Sequence, residues 1–264
     1  MGFVLPSCVL YLLATVLLVR AVARDAAGPA SAWRVPALLA IALHGGYHLW
    51  VAWHTPGGPD MHFFSALSLV SLGMAALTTL FSASGRMAAV GVVSFPLAAL
   101  LLAVYHGYGH RPSPVLDWRL QLHAWLALLS SATLAVAALL AIMLWVQERA
   151  LRRREFHAWL RALPPLTELE TLLFRTIAAG FALLTATLLT GTLFVENLFA
   201  QHLVHKTVLS ALSWLVLGGL LLGRWRRGWR GTTAVRWTLV AIALLLLAFF
   251  GSKAVLELIL HRTL

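Results

Sequence analysis

Eight apolar runs, each near the ~20 residues that span a hydrocarbon core of ~30 Å, constrain this chain more than any other feature. They fall at roughly 3–19, 35–53, 63–82, 87–105, 120–146, 172–194, 206–223 and 237–258 of its 264 residues. Backbone polar groups in lipid must be satisfied within their own segment, so each run is expected to be a helix. The predicted fold is an all-α polytopic transmembrane bundle of about eight helices. It forms one integral membrane domain, 1–264, with a four-helix first half at 3–105 and a four-helix second half at 118–264. The first run is followed by Arg20 and Arg24 and carries no basic start, so it reads as a retained helix rather than a signal peptide.

The connections set the orientation. Segments 20–34, 83–86, 147–161 and 224–236 hold three, one, five and five Lys or Arg, whereas 54–62, 106–119 and 195–206 hold none, two and one. Rich and poor connections alternate, which places the rich ones inside and both termini on the outer, periplasmic face. The expected location is a bacterial inner membrane, crossed many times.

Composition agrees. With 61% hydrophobic and 11% charged residues, the chain is far from the soluble average of about 25% charged, and a soluble enzyme is excluded. A net charge of +11 would suggest nucleic acid in a soluble chain. Here the cations cluster between apolar runs, so their expected partner is the lipid bilayer and no nucleic acid is expected. The lone Cys8 rules out an internal disulfide and any cysteine-based redox or metal motif.

Two basic connections carry patterns of their own. Phe156, Trp159, Leu160 and Leu163 recur at helical spacing among arginines, which predicts a short amphipathic helix on the inner leaflet. Thr167-Glu168-Leu169-Glu170 reads as a capping box that starts the sixth helix, with Glu170 reaching back. Arg224-Trp225-Arg226-Arg227-Gly228-Trp229-Arg230 reads as a headgroup anchor. Gly219 with Gly223, and Ser65 with Ser68 and Ser71, read as close-packing positions with side-chain to backbone bonds.

Eleven histidines are unusual in so apolar a chain. By the predicted topology ten lie at the outer side, and only His157 lies inside. Imidazoles projecting from rigid helix ends are suited to axial ligation of haem iron. Trp50, Trp53, Tyr105, Tyr108, Trp118 and Trp125 could face the macrocycle, while Arg111, Arg119 and Lys206 could pair with its propionates. The i, i+4 pairs His44/His48 and His106/His110, and His202 with His205, offer the alternative of a divalent metal held by an accessory or transport protein. A proton relay is a further reading of buried ionisable groups, disfavoured by the scarcity of acidic partners within the helices.

The run from Leu122-His123-Ala124-Trp125 to Gln147-Glu148-Arg149, then Leu169 to Arg175, Gly191 to Phe194, Gly228 to Gly231 and Phe249 to Lys253, resembles the cytochrome c assembly (CcsA/ResC/HemX-type) superfamily. The resemblance is closest to its compact YpjD-like inner-membrane branch, and strongest over 118–264. It implies a haem-binding or haem-handling protein in cytochrome c assembly or its regulation, with haem b as cofactor. His123 and His261 would be the axial ligands, with His202, His205, Arg119 and Trp125 around them. Other maturation proteins or an apocytochrome are the implied partners, and no catalysis is expected of the isolated chain. Where the superfamily places a tryptophan-aspartate motif, this chain instead reads Asn197-Leu198-Phe199-Ala200-Gln201-His202.

Overall fold

The computed structural model describes residues 2–23, 32–55, 58–81, 88–110, 117–154, 165–194 and 204–251. Among these the only regular structure is helical: α1 (Val4–Ala23), α2 (Arg34–His54), α3 (Phe63–Phe81), α4 (Ala88–Tyr108), α5 (Trp118–Arg152), α6 (Leu166–Phe194), α7 (Val204–Arg227) and α8 (Thr232–Leu246). The last continues into a π-helical turn at Leu247–Gly251. Eight helices among the described residues are long and apolar enough to cross a membrane, as the run lengths predict.

The helices form two compact units, α1–α4 and α5–α8. In the first, α4 packs along α1 and α3, and α2 packs along α1 and α3. α1 shows why these sequences close into bundles. Its buried residues, Val4, Ser7, Tyr11, Ala14 and Leu18, recur every three or four positions, while Leu5, Val9, Leu12 and Val16 are exposed. In lipid no hydrophobic force drives apolar faces together, so small and hydroxyl-bearing residues seek the interior. Ser7 Oγ donates to the Ala40 carbonyl at 2.9 Å, and Cys8 Sγ donates to Ala99 O at 3.4 Å. These bonds tie α1 to α2 and α4.

In the second unit α5 lies along α6, α7 along α8, and α8 also contacts α5. A Cβ at Gly180 would stand 2.5 Å from Leu134 Cδ2, so glycine there allows α5 and α6 to approach. Ser213 Oγ donates to Ala241 O at 2.8 Å, and Trp214 Nε1 donates to Thr185 Oγ1 at 2.8 Å. Gly219 and Gly223 pack closely, as expected, seating the rings of Trp237 and Trp229. Of the two tryptophans in the basic connection, Trp225 is exposed and Trp229 turns inward to meet Trp237.

The capping box is a correction. α6 begins at Leu166, before Thr167, and Glu170 does not reach back. Its Oε1 instead accepts the backbone N–H of Gly231 at 2.9 Å, the residue immediately before α8. A carboxylate from α6 thus satisfies at α8 the donor that a capping box satisfies locally. Gly231 has φ +56°, a conformation that favours glycine, while a Cβ there would meet the Glu148 carboxylate only at an ordinary contact distance of 3.5 Å.

Arginines close the last turns of α1, α5 and α7, whereas the last turns of α2 and α4 carry His54 and His106. The last turns of α3, α6 and α8 carry no basic residue. The amphipathic segment at 156–163, His157, Arg111, His202 and His261 lie outside the described residues.

Candidate functional site

His123 sits on the second turn of α5 and faces a cavity of about 330 Å³ inside the second unit. Thr187 and Gly191 of α6, Lys206 of α7, and Ala248 and Phe249 of the π-helical turn complete the wall around it. The start of α5, the end of α6, the start of α7 and the end of α8 therefore converge at one end of this bundle. A π turn adds a residue to a helical turn and is often found at functional sites, and here two of its residues line the cavity.

The imidazole is held in one tautomer. Nδ1 lies 3.1 Å from the Thr187 carbonyl and 3.2 Å from Thr190 Oγ1. A carbonyl only accepts, so Nδ1 carries the proton and donates it. The Thr190 hydroxyl gives its own proton to the helix backbone at Ala186 O and Thr187 O. Nε2 is then the unprotonated nitrogen and has no hydrogen-bond partner among the described residues. This arrangement, one ring nitrogen tied to a carbonyl and the other left as a lone-pair donor, is what metal-ligating histidines show. Gly191 fixes the ring's position, since a Cβ there would come within 3.1 Å of His123 Cε1.

The other expected ligands of this unit divide. Lys206 lines the cavity with His123. Trp125 does not, because residues two apart on a helix point in very different directions, and its ring is exposed. Arg119 is exposed at the helix start, 4.0 Å from Asp117 and over the rings of Trp118 and Phe194. His205 is exposed beside Lys206. Trp118, with Trp50, Trp53 and Tyr108 of the first unit, is also exposed.

The first unit gathers the i, i+4 histidine pairs into a hydrogen-bonded cluster. His44 Nδ1 lies 3.2 Å from Tyr11 Oη, and His44 Nε2 lies 2.9 Å from Ser68 Oγ. His48 Nε2 meets the same serine oxygen at 3.0 Å, and its ring stacks on Tyr105 at 4.9 Å. His106 Nδ1 and His110 Nε2 both approach Tyr47 Oη, at 2.7 and 3.1 Å. The members of each pair do come together, yet each pair converges on a hydroxyl. Among the described residues, no three His, Cys, Asp or Glu side chains are placed to hold a metal ion. Desolvation holds His110, just past α4, below its ordinary titration range.

Asp60, in the α2–α3 connection, is a residue that sequence reasoning passed over. It is only 4% exposed. Its Oδ1 accepts His62 Nδ1–H at 2.6 Å and the His62 backbone N–H at 3.1 Å, and its Oδ2 accepts Tyr105 O–H at 3.3 Å. Its carbonyl accepts Ser65 Oγ–H at 2.6 Å. The spacing Asp60-x-His62, with Ser65 a turn later, was the available signal. Ser68 was read as a packing residue, but its hydroxyl joins two imidazoles.

No solved structure matches the chain. The chain is 30% identical over 204 residues to the inner membrane protein YpjD of Escherichia coli strain K12, an alignment covering 76% of this chain and 77% of that protein. It is 36% identical over 143 residues, 53% of each chain, to an uncharacterized 28.8 kDa protein in the nifR3-like 5' region of Azospirillum brasilense. The family described as cytochrome C assembly protein matches residues 32–260, from before α2 to beyond the described end of α8. The chain belongs to the cytochrome c assembly protein family.

Proposed function

We propose that this chain is a multi-pass inner-membrane protein that handles haem during cytochrome c assembly, with haem seated in the cavity of the second unit and His123 Nε2 as an axial ligand. Family membership supports the role in cytochrome c biogenesis, and the inner membrane is where the similar YpjD protein is named to reside. The observation that carries the haem reading is His123 itself. It stands on the cavity wall with its tautomer set by Thr187 and its second nitrogen available. The cavity volume is within the ~300–1,000 Å³ of small-molecule and cofactor sites.

The residues present fit the group. The Thr187 carbonyl holds the imidazole and Gly191 leaves room for it, Leu184, Leu188, Leu245 and Phe249 provide apolar wall, and Lys206 supplies a cation for a propionate. His261 is the proposed second ligand. It follows in sequence from the π-helical turn that walls the cavity, and His202 precedes Lys206 by one helical turn's worth of chain. Haem bound there would supply an iron centre whose potential the ligating imidazoles and the apolar surroundings would tune. The chain itself binds and orients it, and passage to an apocytochrome falls to a partner protein.

The test is the visible spectrum of the protein purified in mild detergent, before and after added hemin. A Soret band that is present in the parent protein and lost in His123→Ala and His261→Ala is the expected result. A colourless protein that takes up no hemin sinks the reading, and stoichiometric zinc or copper in its place would favour a divalent-metal protein.

A further inference from the structure

The first unit holds a second chemistry that the haem reading does not use. His48, Ser68, His44 and Tyr11 form an unbroken hydrogen-bonded series, with contacts of 3.0, 2.9 and 3.2 Å in that order. It links α2, α3 and α1. His44, Ser68 and Tyr11 are each 0% exposed. A hydroxyl has one proton, so Ser68 can donate to only one of the two imidazoles and must accept from the other. The series therefore has two polarities of equal connectivity, which is the condition for relaying a proton.

We propose that His48, Ser68 and His44 form a proton wire that carries a proton from the α2–α3 connection to His44, halfway along α2, and back. Before transfer, His48 Nε2–H donates to Ser68 Oγ, Ser68 O–H donates to His44 Nε2, and His44 Nδ1–H donates to Tyr11 Oη. A proton arriving at His48 Nδ1 releases the Nε2 proton to Ser68 Oγ. The serine passes its own proton to His44 Nε2, and each N–H or O–H bond broken is matched by one formed on the next atom. His44 ends as an imidazolium whose two N–H groups donate to Ser68 and Tyr11, and no electrons move.

The surroundings give the wire an entrance and an end. At the entrance, Asp60 and His62 lie beside Tyr105, the ring on which His48 stacks, and His48 is in electrostatic reach of Asp60, His62 and His110. Asp60 is the buried carboxylate that a cation entering there requires. Tyr47 of α2 and His106 of α4 are further titratable groups at this end. At the far end, Tyr11 stacks on Phe95 at 6.1 Å, and Phe95 meets Trp33 at 5.8 Å. Both aromatic residues are buried, as is Leu18. Cys8, the remaining titratable group on that part of α1, is bonded to the Ala99 carbonyl. A proton that reaches His44 therefore returns by the same series, and the wire exchanges protons from one side only.

The wire is independent of the haem reading and is tested on the full-length protein in lipid nanodiscs with isotope-labelled histidine. Nuclear magnetic resonance should show His44 and His48 averaging between tautomers, and the His44 ring N–H exchanging in heavy water. Ser68→Ala should slow that exchange by about tenfold or more, a barrier increase of ~1.4 kcal/mol, while Ser68→Thr, which keeps the hydroxyl, should not. Two results overturn the proposal. One is a single frozen tautomer with no ring exchange in the parent protein, a readout that needs no variant. The other is parental exchange in folded Ser68→Ala. The haem spectrum should be the same in all three proteins.

Discussion

A side chain at Gly191 would press on the His123 ring, so this position separates ligand identity from ligand placement. Gly191→Val leaves the imidazole in the sequence but moves it off the Thr187 carbonyl. We expect hemin affinity to fall about tenfold or more, equivalent to ~1.4 kcal/mol, in a titration followed at the Soret band. Removing the cation with Lys206→Ala should weaken hemin binding less than His123→Ala does, because a charged hydrogen bond is lost but the iron–nitrogen bond is kept. At the other end of the second unit, Glu170→Ala leaves the Gly231 N–H without its carboxylate. A fully buried donor left unpaired costs ~1–3 kcal/mol and this one is part-buried, so the thermal midpoint in detergent should drop by less than that implies, while the visible spectrum of the intact fraction is unchanged.

Between α7 and α8, glycine rather than charge decides the packing. A Cβ at Gly219 would approach Trp237 to 3.3 Å. Gly219→Leu should therefore destabilise the second unit by ~1–3 kcal/mol through overpacking, read as a lower thermal midpoint. At this scale the sequence was legible where periodicity and length speak for themselves. Eight spans, their alternating charge and the glycine pair all follow from run length and residue size. The capping box was misread because Thr167 and Glu170 satisfy a local pattern, while the actual acceptor relationship spans 61 residues and has no local trace. Trp125 was included for its nearness in sequence to His123, although two helical positions carry a side chain away from its neighbour's face. Asp60 was passed over because only the fold shows that His62, Ser65 and Tyr105 enclose it.

For the molecule as a whole, the charge of the connections predicts that the histidine-bearing helix ends face outward and the arginine-bearing ends inward. Alkaline phosphatase fused after Gly58 or Gly109 should be active, and fusions after Arg153 or Arg227 should be inactive. The reverse pattern would invert the orientation and place the His123 cavity at the inner leaflet. The bond between Glu170 of α6 and the start of α8 bears on how the second unit meets membranes of different thickness. A helix pair joined only by apolar contact can answer hydrophobic mismatch by sliding one member along the membrane normal. Here a backbone amide of one strut is pinned to a carboxylate of another, so α6 and α8 keep a common depth. A thinner or thicker bilayer must then be met by tilting the unit as a body, or by deforming the lipid around it.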